Sequence, residues 1–139
     1  MAHKSVEEAR RSVRTFVGVL GHVQLLAKDD SAASVLSQLG ATVRTLDLWD
    51  DPVNLFNEND EELGIRPRAL IFEALDRPDL AVAALRAVRK EPYFDNVGAI
   101  IAVTTGQVAR VDPASGFDDF VLHPYVPEEL YGRIRALEW

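Results

Sequence analysis

The run Arg68-Ala69-Leu70-Ile71-Phe72-Glu73-Ala74-Leu75 places apolar side chains at consecutive positions, so a strand built from it is buried on both faces. Strands of that kind belong in the middle of a parallel sheet with helices on either side. Downstream, Pro78 opens a helix whose Leu80, Ala81, Ala84, Leu85 and Val88 share one side. After the loop Glu91-Pro92-Tyr93-Phe94 comes a second run of the same type, Ala99-Ile100-Ile101-Ala102-Val103. Phe120-Val121-Leu122 makes a last short strand, and Pro127 to Leu137 a last helix with Leu130, Ile134 and Leu137 on its stripe. Upstream, Thr42-Val43-Arg44-Thr45-Leu46 reads as a short strand, and Asp50-Asp51-Pro52 starts an acidic, helical or irregular stretch ending near Gly64. Strand and helix alternate throughout, which predicts a doubly wound α/β domain with a five-stranded parallel sheet.

The first strand has two candidate positions. Ser5 and Glu8 form a capping box, and Val6, Ala9, Val13, Phe16, Val17 and Leu20 fall on one helical stripe that Gly21 can end. On that reading residues 1–21 are an extra N-terminal helix, and 22–139 are the domain, with Val23-Gln24-Leu25-Leu26-Ala27 as its first strand and Asp30 capping a helix through Leu39. The competing reading makes Thr15 to Leu20 the strand, since Phe16, Val17 and Val19 favour one. It would require a helix from Val23 to Leu39 with Asp29 in the middle of its apolar face, a costly place for a carboxylate. The first reading is preferred on that ground.

Composition narrows the chemistry. The 139 residues, 47% of hydrophobic type, suffice for one core and not for two. Fifteen Lys and Arg against 22 Asp and Glu leave a net charge of −7, which repels phosphate backbones and anionic membranes. The absence of cysteine removes disulfides, thiolate metal sites and thiol nucleophiles together. No stretch is apolar for long enough to span a bilayer, and residues 1–14 are too charged for a signal peptide, so a cytoplasmic location is expected. There is no Gly-rich phosphate loop, no Ser-His-Asp elbow and no His-Glu-x-x-His pattern. Trp49 and Trp139 are read as partly buried.

The last third, Gly116-Phe117-Asp118-Asp119-Phe120-Val121-Leu122-His123-Pro124-Tyr125 followed by Pro127-Glu128-Glu129-Leu130 and Arg133-Ile134-Arg135-Ala136-Leu137, resembles the end of a response-regulator receiver domain. The upstream runs ending in Glu73 and Thr104 resemble two further strands of that family. The resemblance implies a flavodoxin-type sheet of order 2-1-3-4-5, and a site where a strand-end aspartate accepts a phosphoryl group beside a divalent cation. At the accepting position stands Glu73; Thr104 matches the switch hydroxyl, Phe120 the rotating aromatic, expected to stay buried, and His123 the lysine. Pro124 matches the proline that follows a cis peptide in the family.

The departures from the pattern carry the functional expectation. Glutamate's extra methylene would push its carboxylate outward into the space of a phosphoryl group, either as drift or as a mimic of the activated state. His123 cannot reproduce a lysine's permanent charge, and a contact between it and Glu73 would be natural across the pocket. Asp29 and Asp30 are the only acidic pair on offer for a cation, preceded by Lys28, and capping is the preferred reading of both; the other register offers Gly21-His22. No resident metal or cofactor is therefore expected. The reading is an atypical receiver domain of bacterial signalling or transcriptional control, not an enzyme, which acts without phosphorylation through a protein partner or as a homodimer, with a C-terminal output domain a further candidate partner. The alternative is a true phosphoacceptor that uses Asp76 or Glu73 with Mg2+.

Overall fold

The computed structural model describes residues 15–137. Its elements are β1 (Thr15–Gly21), α1 (Val23–Leu26), α2 (Ala32–Gln38), β2 (Val43–Asp47), α3 (Asp60–Leu63), β3 (Arg66–Leu75), α4 (Pro78–Val88), β4 (Ala99–Thr104), β5 (Asp119–His123) and α5 (Pro127–Leu137). Short 3-10 turns at Pro52–Leu55, Pro92–Phe94, Thr105–Arg110 and Pro113–Ser115 complete the loops. All five strands are parallel and lie in the order β2-β1-β3-β4-β5, as expected.

The run Arg68 to Leu75, in β3, is the centre of the sheet. Leu70 and Phe72 of β3 point into one core with Leu20, Leu55, Leu85 and Phe94, beneath α4. Ala69 and Ile71 point into the other with Val17, Val19, Leu36, Leu130 and Ile134, beneath α2 and α5. Each of these side chains is at most 2% exposed, so the hydrophobic drive acts on both faces of one sheet.

The first strand is Thr15–Gly21, not Val23–Ala27. Phe16 to Gly21 are all buried, and Gly18 pairs with Leu70 of β3 and Arg44 of β2. The objection to this register assumed one helix from Val23 to Leu39. The chain instead makes two short helices, and the turn between them places Asp29 and Asp30 in solvent rather than on an apolar face. Residues 15–21 thus belong to the sheet; the expected helix over 1–14 lies outside the described residues. Ser31, not Asp30, caps α2, its hydroxyl accepting from the Ser34 N–H at 3.1 Å.

Two further expectations fail on exposure. Trp49 is 71% exposed, and Phe120 is 40% exposed, its ring facing the Arg133 guanidinium at 5.8 Å. Asp119 and Glu129 hold that guanidinium outside the sheet, so the aromatic has a partner at the surface. Trp139 lies outside the described residues.

Candidate functional site

The carboxyl ends of the strands bring Gly21, Glu73, Thr104 and His123 to one rim, with the loop 27–31 folded over it. Ligands bind at this rim in open α/β sheets. Here the loop is short, and it carries the start of α2 directly onto β3.

Glu73 is 1% exposed and points inward. Its Oε2 accepts from the Ala32 backbone N–H at 2.7 Å and from the Tyr125 hydroxyl at 2.5 Å. The carboxylate therefore satisfies the first free donor of α2 and ties the loop after β5 to the sheet. Its other oxygen, Oε1, is buried without a hydrogen-bond partner among the described residues. Burial pushes the Glu73 carboxyl above its ordinary value of 4.5, against the two hydrogen bonds that pull it down. Burial and the facing carboxylate push the Tyr125 hydroxyl up as well, so it remains a donor.

This corrects the expectation of an outward carboxylate. It also redirects His123, whose Nε2 lies 3.4 Å from Asp30 Oδ2 rather than against Glu73. The His123 ring meets the Tyr125 ring edge-on at 5.1 Å, closing the rim above the glutamate. The His123-Pro124 peptide is cis, as the resemblance implied. At the end of β1, Gly21 pairs with Glu73, and a Cβ there would lie 3.3 Å from the Glu73 Cβ. The floor of the site is thus filled by the glutamate's own stem.

Thr104 stands apart from this group. Its Oγ1 donates to Asp76 Oδ1 at 2.9 Å in an exposed pair. Asp76 follows a bulge between Glu73 and Leu75 and the left-handed Leu75, at φ 50°, which carry it past the sheet's edge. Asp29 is exposed. Among the described residues, no group of three or more His, Asp or Glu side chains converges as metal ligands. A hard cation of the kind the resemblance implied needs several accessible oxygens. Here one carboxylate is enclosed and a second faces His123, so the residues present do not fit it.

Tyr125 and the Ala32 N–H were not foreseen as partners of Glu73. In the sequence Tyr125 is the aromatic after Pro124, and its hydroxyl is the one signal of this contact. The Ala32 donor has no signal of its own, because the position of α2 follows from that of β1.

The sequence matches no protein-family model, and no curated protein is similar to it. Solved structures do resemble it. A protein from Chloroflexus aurantiacus J-10-fl described as a response regulator is 20% identical, with a TM-score of 0.59 over 90% of this chain and 97% of that one. The chemotaxis protein CheY4 of Vibrio cholerae is 14% identical, with a TM-score of 0.60 over 88% and 98%. A response regulator receiver domain protein of Clostridium thermocellum is 14% identical, with a TM-score of 0.55 over 88% and 94%. Among the described residues no helix is long and apolar enough to cross a membrane. The chain has the fold of response-regulator receiver domains.

Proposed function

We propose that this chain is an atypical receiver domain of two-component signalling, which acts through protein contacts without accepting a phosphoryl group and without enzymatic activity or a resident cofactor. The observation that supports this most directly is Glu73. Its carboxylate is enclosed, it accepts from the first N–H of α2, and it holds Tyr125 where incoming phosphate would need room. The mimic of an activated state has less support, since Glu73 reaches Ala32 and Tyr125 while Thr104 bonds Asp76. Partner proteins, a second copy or an output domain fit this reading equally, and a role in transcriptional control belongs to it as an expectation about the output.

The second reading, phosphoryl transfer to Asp76, has one observation in its favour: that carboxylate is exposed beside the Thr104 hydroxyl. Incubation with magnesium and acetyl phosphate, followed by intact-mass measurement, separates the two. No mass increment is expected. A stoichiometric, acid-labile adduct overturns the proposal, and its loss in Asp76→Asn would assign it to the second reading.

A further inference from the structure

A cleft with a volume of about 620 Å³ opens at the amino ends of the strands, the opposite end of the sheet from Glu73. It lies between the start of β3, the loop before β4 and the crossover after β2. Small-molecule sites are concavities of roughly 300–1,000 Å³ with mostly apolar walls and a few polar groups. Val53, Phe56, Ile65, Tyr93 and Val97 supply such walls here. The Phe56 and Tyr93 rings lie 4.6 Å apart, and Tyr93 is 52% exposed, so aromatic surface is open to an incoming molecule.

Charge selects the class of that molecule. Glu58, Glu61 and Asp95 stand exposed on the rim, with Arg66 the one cation among the described lining residues; Asp60, which also lines it, is already paired with Arg44. None of the three exposed carboxylates forms an ion pair with another described residue. Charges of one sign beside low-dielectric walls concentrate their field, so the cleft attracts cations and repels phosphates and carboxylates. Among the described residues these acids do not converge as metal ligands, which leaves an organic cation. A second copy seated on the same face would bring like charges together, and the chain carries a net charge of −7. The ring cluster already holds a cation at its inner end: the Arg44 guanidinium lies 4.2 Å over Phe16, whose ring meets Phe56 edge-on at 6.1 Å.

We infer that this cleft binds a small organic cation, an amine carried on an aromatic or similarly broad apolar body. The body rests against Phe56 and Tyr93, and the ammonium lies among Glu58, Glu61 and Asp95. The inference stands whether or not the domain accepts a phosphoryl group, because no residue of the Glu73 site lines the cleft.

Three indoles of similar shape and different charge test it by titration into the isotope-labelled full chain at neutral pH: tryptamine, a cation; tryptophol, neutral; and indole-3-propionate, an anion. Tryptamine is expected to shift the amide signals of Asn57, Glu61, Tyr93 and Val97 saturably, with half-saturation at or below about 1 mM. Tryptophol should bind about tenfold more weakly, and indole-3-propionate should leave these signals in place. Glu58→Gln combined with Glu61→Gln, both at exposed positions, should bring the tryptamine affinity close to that of tryptophol and leave tryptophol unchanged. Shifts that do not saturate, that centre on another face, or that are as strong with tryptophol as with tryptamine overturn the inference. Tryptamine binding that survives the two glutamines unchanged also does so, because the rim carboxylates then have no part in it.

Discussion

Glu73 joins three parts of the chain through one oxygen: its own strand, the start of α2 through Ala32, and the loop after β5 through Tyr125. Burial penalises its ionised form, so the folded state keeps the Glu73 proton to higher pH than the unfolded chain does. From about pH 4.5, where the unfolded side chain ionises, up to the raised folded value, unfolding releases this proton, and stability must fall as pH rises. Glu73→Gln removes that slope while keeping an acceptor for both donors; denaturant midpoints measured across this range should lose the decline attributable to Glu73. Tyr125→Phe acts in the opposite sense. It takes a donor from a buried carboxylate that already has one oxygen unpartnered, at a cost of about 1–3 kcal/mol, larger at neutral than at acid pH. A variant as stable as the parent at pH 7 would show that the hydroxyl has no structural part in the site.

Among the elements, β1 is the one the sequence concealed. Its apolar residues fit a helical stripe as well as a strand, because Phe16, Val17 and Leu20 lie at helical spacing while the run Phe16 to Leu20 is also short and apolar enough for a strand buried on both faces. What tells the two apart is Gly18, a poor helix residue that the sheet requires, since a Cβ there would lie 2.7 Å from Leu70 Cδ2 in the core. Gly18→Ala is therefore expected to cost about 1–3 kcal/mol in thermal or urea unfolding, whereas Gly106→Ala, with nothing within 4 Å, should be near neutral. The strands β3 and β4 were legible as short unbroken apolar runs rich in β-branched and aromatic residues, and the helices α4 and α5 by a proline start and a single helical stripe. The acidic crossover after β2 was legible in outline, but not its anchor. Asp60 is buried and accepts from Arg44 at 2.5 and 3.0 Å and from the Asn57 N–H at 2.8 Å, while that guanidinium stacks 4.2 Å over Phe16. A pairing across 16 residues leaves no local pattern to read. Asp60→Ala leaves the guanidinium partly buried without its carboxylate, and roughly 3 kcal/mol of destabilisation is expected, with the cleft walls at Val53 and Phe56 exchanging amide hydrogens faster.

These two buried carboxylates pull the stability of the protein in opposite directions along the pH axis. The Arg44 guanidinium holds Asp60 below its ordinary value of 3.8, so the stability this pair supplies is present above that value and is lost as pH falls through the depressed folded one. Glu73 contributes the reverse, a loss that begins near pH 4.5 and grows as pH rises. The surface adds to the second effect: a net charge of −7 at pH 7 vanishes near the sequence pI of 4.9, which relieves self-repulsion in the compact state. All three place the maximum of stability in the mildly acidic range, about pH 4 to 5, below the range common for globular proteins. Urea midpoints taken from acid to neutral pH at low protein concentration should pass through that maximum, and added salt should raise the midpoint at pH 7 more than at pH 5. A monotonic rise to neutrality would mean that Glu73 is not enclosed in solution, and the proposal of a closed, phosphate-independent site would lose the observation on which it rests.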